Sequence, residues 1–467
     1  MNTAYQSSRG GNNSRPALLF TIPLLLKSAI LAFLLGSFLS GCATYSGTMS
    51  KVVLNAESGN YDQALTVLEK SSLASARKDR LLFLLEKGTL LNLDEDYAAS
   101  NEAFELAERT SEEFYGISIS NELKGAILND TLMEYPGEDF ERVMLHYLRA
   151  LNYLALEKQD EALVECRKSD NLLRQISDRL EGKNVYREDA LAHYLAGILY
   201  EADRNPNDAF IAYRAAYKLY TGDYKANYGT PPPPFLLADL ARTAKGAGLT
   251  DELVELCALT GVSPPSGESD DPTSSELVLF FDNGWAPRKQ RKDIYLPVPA
   301  SDLLLPVKFS VPEFIGRPPD VAFARVLVDG AEAGRTYLVE NVGAIAVKNL
   351  DDRIGRKVVK TVARVAAKQA ALEVTVNKIR KEHGENAAAF ARLGMQLALN
   401  FSEAADIRSW QTLPWEVQLA RLPVTPGTHH IALELVDRHG RTVEEEELGV
   451  IYAPPGKKAF LQYRNFR

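Results

Sequence analysis

Three windows in the first half of the chain share one spacing of small, apolar and aromatic residues. In each window the first residue is followed by others 3, 12, 16 and 19 positions later, as in 100 − 88 = 12. The windows are Gly88, Leu91, Ser100, Phe104 and Ala107; Ala150, Tyr153, Ala162, Cys166 and Ser169; and Gly197, Tyr200, Ala209, Tyr213 and Ala216. Small residues 12 positions apart are expected where the two helices of a hairpin touch. The spacing therefore predicts stacked helical hairpins that share one core, because a single hairpin cannot bury its own apolar face.

This pattern resembles the tetratricopeptide repeat, whose usual period is about 34 residues. The small anchors lie 150 − 88 = 62 and 197 − 150 = 47 residues apart, which predicts insertions of roughly 28 and 13 residues near 110–139 and 168–189. Thr110–Leu132 keeps helical periodicity and predicts an extra helix. We assign 42–262 to the repeat domain, ending in a hairpin over 235–259. The proline-containing stretch 263–275 is predicted to be a linker.

Residues 1–41 have the layout of a secretory signal peptide. Two arginines precede the apolar run Pro16–Ser40, whose uncharged core is too short to span a bilayer. Leu39-Ser40-Gly41-Cys42 resembles the lipobox of bacterial lipoproteins, which implies that Cys42 carries the acyl chains of a membrane anchor. Ala43 lacks the aspartate of an inner-membrane retention signal. We therefore predict a lipid-anchored protein of the outer membrane that faces the periplasm.

From residue 276 onward the hydrophobic period changes to that of strands. Trp415, Val417 and Leu419 alternate with polar residues, and turn signals separate nine short strand-like runs, one of them Thr336–Val347. We predict an antiparallel β-sandwich over 276–467, with a helical hairpin inserted over 351–408 and broken at His383-Gly384. The fold class is thus α+β and multidomain. The basic section of the insertion either contacts an anionic lipid surface or covers the sheet with its apolar stripe.

The repeat register places a set of large apolar side chains on the face formed by the first helix of each hairpin. They are Leu82, Leu85, Met144, Tyr147, Leu151, Leu191, Tyr194 and Ile198. An exposed groove of this kind would suit a segment of another protein. The alternative is that another part of this chain fills the groove, and the sequence leaves both open.

A second candidate surface lies in the strand-rich half. Tryptophan and arginine are the residues that most often anchor interfaces, and they occur here in two short motifs. The candidates are Trp285, Arg288, Lys289, Arg408 and Trp410.

The whole chain after Cys42 resembles a family of bacterial tetratricopeptide-type outer-membrane lipoproteins. The segments that carry this resemblance are Tyr135–Arg142, Ala162–Glu165, Asp282–Lys289 and Ala405–Pro414. The resemblance implies no catalytic residues. It implies other envelope proteins as partners, lipoproteins among them.

Composition and motifs exclude several classes of function. The net charge of −9 is unsuited to nucleic acid, and three cysteines cannot form a disulfide framework. We find no nucleophile elbow, phosphate loop or metal-spaced cluster, so we predict neither cofactor nor metal and no enzymatic activity. The leading prediction is a membrane-tethered periplasmic scaffold or adaptor. A glycan-binding or glycan-acting protein of the cell wall, or a structural subunit of a surface or secretion assembly, remains an alternative.

Overall fold

The computed structural model describes residues 40–123, 133–261, 274–300, 303–402 and 405–467. The described residues from Thr48 onward belong to one compact unit. Nearly all of the predicted signal peptide and most of the predicted linker, 263–275, lie outside the described residues. None of the described helices combines the length and apolarity needed to cross a bilayer.

The first half of the chain is helical. Its helices are α1 Ser40–Glu57, α2 Tyr61–Glu69, α3 Ser72–Ser75, α4 Arg80–Leu93, α5 Tyr97–Leu123, α6 Asp139–Ala155, α7 Gln159–Arg179, α8 Ala190–Ala202, α9 Pro206–Leu219, α10 Lys225–Tyr228, α11 Leu236–Gly246 and α12 Thr250–Thr260. A 3₁₀ turn, Arg77–Asp79, precedes α4, and a π-helical turn, Tyr220–Tyr224, joins α9 to α10. Four hairpins, α4–α5, α6–α7, α8–α9 and α11–α12, pack side by side in chain order. Stacked helical hairpins are thus confirmed, the last of them at the predicted place.

The glycine anchors fit closely against the aromatic residue 16 positions later. A Cβ atom on Gly197 would lie 2.4 Å from Tyr213 Cδ1, and one on Gly88 would lie 2.5 Å from Phe104 Cε1. In the middle hairpin the smaller Cys166 takes the aromatic's place, and there the anchor is Ala150. The size of the anchor therefore matches the size of its partner, as close packing of the two helices requires.

Gly197→Ala is expected to lower the free energy of unfolding by about 1–3 kcal/mol, because the new methyl group overlaps the Tyr213 ring. Gly116→Ala is the matched control, since its Cβ would meet nothing within 4 Å and glycine is a poor helix former. The control is expected to gain about 0.5–1 kcal/mol. Urea unfolding measures both. Equal midpoints for the two variants would contradict the packing account.

The described residues of the second half form ten strands and one long helix. The strands are β1 Ser275–Asn283, β2 Arg288–Ala300, β3 Leu303–Ile315, β4 Val321–Val328, β5 Ala331–Arg335, β6 Tyr337–Glu340, β7 Glu416–Val424, β8 Gly427–Asp437, β9 Thr442–Ala453 and β10 Lys458–Asn465. They form a first sheet β10-β1-β7-β6, a second sheet β5-β4-β8-β9 and the separate hairpin β2-β3. Helix α13, Val342–Ser402, lies between β6 and β7 in the chain.

The first sheet has a different neighbour on each of its two faces. Leu277, Leu279 and Phe281 of β1 point into an apolar core shared with the second sheet. Phe280 and Asp282, the alternate residues, contact Tyr147 of the helical array. Because both faces of β1 are covered, it is a nearly continuous apolar run, as expected for a fully buried strand.

Five details differ from the sequence predictions. The sheets are not purely antiparallel, because β1 pairs with β10 in parallel, and the short strand β5 was not predicted. The predicted strand Thr336–Val347 ends after β6, and helix begins at Val342. The insertion is consequently longer than 351–408 predicts, although it reverses at Gly384 and its two arms pack through Leu372, Val376 and Ala388. Over its described part, 110–123, the predicted extra helix is instead a continuation of α5, and 124–132 lie outside the described residues.

Candidate functional site

The eight groove candidates do not form an open groove. Leu82, Leu85, Met144, Tyr147, Leu151, Leu191, Tyr194 and Ile198 are all buried. The Tyr147 hydroxyl donates a hydrogen bond to Asp282 of β1 (2.8 Å), and Arg421 of β7 reaches the Tyr194 hydroxyl (3.4 Å). The prediction that these residues form one accessible binding surface is wrong, because the chain's own first sheet covers the face that carries Tyr147 and Tyr194. Of the eight candidates, Leu85 alone lines the cleft described below.

An extended segment that precedes β7, residues 405–415, occupies the same face, and we call it the groove segment. The Trp410 backbone N–H donates to Glu141 (2.8 Å), and the Gln411 backbone N–H donates to Glu86 (2.8 Å). The Thr412 hydroxyl also donates to Glu86 (2.6 Å). Thus acidic side chains on α4 and α6 accept hydrogen bonds from the main chain of the groove segment, and the array binds part of its own chain through the kind of contact used for a peptide.

A buried ion network joins α8 and α11 to the first sheet. Arg421 of β7 pairs with Glu201 (2.9 Å), Asp239 (2.6 Å) and Glu276 (2.6 Å). Arg242 and Lys458 complete it, so that three cations face three carboxylates. Burial opposes ionisation of Glu276, but Arg421 and Lys458 outweigh it and lower the pKa of Glu276 to about 2.

The second candidate surface is likewise an internal interface. Trp285 stacks on Phe466, and Lys289 pairs with Glu138 of the helical array. Arg408 pairs with Asp79 (2.9 Å), and Trp410 packs against Phe104. Of the five candidates only Arg288 is exposed, so the prediction of a convergent surface site is wrong. Tryptophan and arginine anchor an interface here, but it lies within the chain.

A cleft between α5 and α7, floored by α6, lies on the other side of the array. Helix α6 uses one face for the sheet, with Met144, Tyr147 and Leu151, and the opposite face for this cleft. Two adjoining cavities of about 540 and 440 Å³ share Glu108, Glu112 and Lys168 among their lining residues. Both volumes lie in the range of ligand sites in proteins. The larger cavity has an apolar floor that includes Leu81, Leu85, Leu145 and Leu172.

Arg142 and Arg179 mark one end of the cleft. Their guanidinium carbons lie 4.4 and 5.1 Å from the centroid of the Tyr115 ring, so that both cations pack on one aromatic. Among the described residues, no carboxylate lies within ion-pair distance of either arginine, and the buried Nη1 atom of Arg142 has no hydrogen-bond partner. Such a pair can bind a carboxylate or phosphate group in a bidentate manner.

Glu108, His146 and Glu165 form a compact cluster in the middle of the cleft. Their ligand atoms lie within 4.8 Å of one another, a spacing that could hold a metal ion. Arg149 and Lys168 already contact both carboxylates, at 2.5–3.4 Å. Burial works to raise the pKa of Glu165, but His146, Arg149 and Lys168 outweigh it and lower that pKa. The two side-chain cations supply the positive charge that a metal would bring, so the cluster is better suited to an ion network.

The cleft was not predicted, although the sequence carried a signal for it. Tyr115 lies in the first predicted insertion, and Asn171, Gln175 and Arg179 lie in the second. The insertions lengthen α5 to 27 residues and α7 to 21 residues. Each helix therefore extends beyond the usual hairpin and forms a wall of the cleft.

The fold defines a helical-hairpin repeat array that carries a β-sheet module on one face. No protein-family model and no curated protein matches the chain. Several solved structures match about half of the chain.

They include BtubC (BKLC) from P. vanneervenii, with 17% identity, 47% of this chain and 79% of that chain covered, and a TM-score of 0.30. The MamA protein matches with 14% identity, coverage of 47% and 97%, and a TM-score of 0.27. A kinesin light chain of Podosopora anserina with TPR-like repeats matches with 13% identity, coverage of 47% and 94%, and a TM-score of 0.30. At such TM-scores these similarities carry no argument about function.

Proposed function

We propose that the protein is a lipid-anchored adaptor of the bacterial outer membrane, facing the periplasm, and that it binds a partner protein through the α5–α7 cleft. The observation that carries the proposal is the cleft itself, an elongated trough with an apolar floor and charged ends. Helical repeat arrays typically recognise protein segments. The face opposite the cleft is not available, since the chain's own sheet and groove segment cover it.

The anchor is proposed from the sequence of the leader and of Leu39–Cys42. Two or three acyl chains on Cys42 would bind the membrane effectively irreversibly, because each buried methylene contributes about 0.8 kcal/mol. The basic section of α13 could add contact with anionic lipid.

Cys42→Ser is expected to abolish labelling of the protein with fatty acid and to shift it from the membrane pellet to the soluble fraction. Cys257→Ser is the matched control, because it removes another cysteine of the chain and should leave labelling intact. Metabolic labelling and cell fractionation measure both outcomes. An unlabelled wild-type chain found in the cytosol with its leader uncleaved would refute the anchor.

Glycan cleavage is less well supported at this cleft. It needs a carboxylic acid that stays protonated near neutral pH, next to a second carboxylate. Glu108 and Glu165 are neighbours, but the pKa of Glu165 is lowered, and both are paired with Arg149 and Lys168. This arrangement favours binding over acid catalysis.

A further inference from the structure

We infer that the α5–α7 cleft binds an extended protein segment in one direction only, with an acidic residue at one end, apolar side chains next to it and a basic residue at the other end. The inference rests on the proposed adaptor function and names the chemistry of the partner.

The two cavities have opposite charge. Arginines and lysines outnumber carboxylates by three to two around the larger cavity, where the Arg142–Tyr115–Arg179 group lies. Carboxylates outnumber arginines and lysines by five to three around the smaller one. Glu161 lines only the smaller cavity, is exposed, and has no cation within ion-pair distance among the described residues. A ligand that satisfies both ends must therefore carry a negative and a positive group at separate points.

The separation of the ends gives the length of the segment. Arg179 and Glu161, the charged groups of the two ends, are 179 − 161 = 18 residues apart on α7, or about 27 Å at 1.5 Å per residue. An extended chain advances about 3.3 Å per residue, so the acidic and the basic residue of the segment should be about eight positions apart. A free phosphate or a small carboxylic acid would reach only one end.

The apolar floor fixes which end carries the apolar side chains. Leu81, Leu85, Leu145 and Leu172 all line the larger cavity, beside the two arginines. The smaller cavity offers chiefly charged side chains, with Val164 and Tyr153 as its less polar members. The apolar residues of the partner should consequently follow its acidic residue directly.

Two fluorescein-labelled peptide pools test this directly with the full chain purified in detergent. The first has the fixed pattern Asp-Leu-Leu-x-x-x-x-x-Lys, and the second exchanges Asp and Lys while keeping the same composition. We expect fluorescence anisotropy to show at least tenfold tighter binding of the first pool. Equal binding of the two pools, or no binding of either at 1 mM peptide (about −4 kcal/mol), would overturn the inference.

Variants at each end assign the charges. Arg179→Glu changes an exposed residue, so the fold is retained. This variant is expected to weaken binding of the first pool at least tenfold. Arg142→Gln should weaken it as well. Glu161→Gln is expected to remove the preference for Lys over Gln at the last position. Arg214→Ala is the matched control, because Arg214 packs on Phe210 of α9 in the same way but outside the cleft.

The remaining outcomes are also decisive. If Arg179→Glu leaves binding unchanged, the peptides bind elsewhere and the inference fails. If sedimentation shows a dimer that Arg179→Glu dissociates, the occupant is a second copy of this chain and not a partner protein. The binding assay does not depend on the lipid anchor. If the protein carries the anchor but binds neither pool, only the inference about the segment is refuted. If the protein carries no anchor but binds the first pool, only the anchor is refuted.

Discussion

Arg421→Ala is expected to lower the free energy of unfolding by about 3–5 kcal/mol, the usual cost of removing one partner from a buried ion pair. The Arg421 side chain is only 3% exposed, and Asp239 beside it is equally buried. Removing the guanidinium leaves three mostly buried carboxylates facing two cations, so the Asp239 charge at the centre loses its partner Arg421. Urea unfolding followed by circular dichroism measures the loss.

The matched control is Arg441→Ala. Arg441 pairs with Asp437 at 2.6 Å, close to the Arg421–Asp239 distance, but its side chain is 73% exposed. Exposed ion pairs contribute about 0–1 kcal/mol, so the control should unfold almost like the wild type. A second variant, Arg421→Ala with Glu276→Gln, restores the charge balance and should recover part of the loss. Similar losses for Arg421→Ala and Arg441→Ala would show that burial of the ion network does not determine how much stability is lost when its arginine is removed.

The helical half of the fold was predictable because its signal is local. Gly197 and Tyr213 are 16 residues apart and belong to one hairpin. Their contact therefore appears in the sequence as a fixed spacing between a small and a large residue. The alternation that predicts strands such as β7 and β8 is equally local. The parallel pairing of β1 with β10 joins residues more than 170 positions apart, and no periodicity in either strand encodes it.

The site was misassigned because exposure depends on the whole fold. Tyr147 and Trp410 are of residue types that are common in binding sites. Both do form contacts of this kind, but their hydrogen-bond partners are Asp282 and Thr89 of the same chain. Sequence shows that a face is apolar and does not show which element covers it. The cleft was missed for the converse reason: Arg142, Arg179 and Tyr115 come from three different helices, and only packing brings them together.

Glu86 is expected to make the protein less stable as the pH rises from about 4.5 to 7. Burial raises the pKa of Glu86 to about 7, although hydrogen bonds from Thr412 and Gln411 oppose the shift. In the unfolded chain a glutamate has a pKa near 4.3. Below that pH the side chain is protonated in both states. Above it the unfolded state releases the proton first, so stability falls by about 3 kcal/mol across this range.

Glu86→Gln isolates this contribution, because glutamine cannot ionise. The variant loses an acceptor for Thr412 and should be less stable at low pH, but its stability should fall less than that of the wild type between pH 5 and 7. Burial also raises the pKa of Asp282, to about 6, and that contribution is common to both proteins. Glu276, whose pKa is lowered, changes the stability in the opposite direction and only at lower pH. Its negative charge stabilises the fold, and that contribution is lost as the pH falls towards 2. Parallel pH profiles of unfolding free energy for the two proteins would mean that Glu86 is already ionised in the fold, held by its three hydrogen bonds.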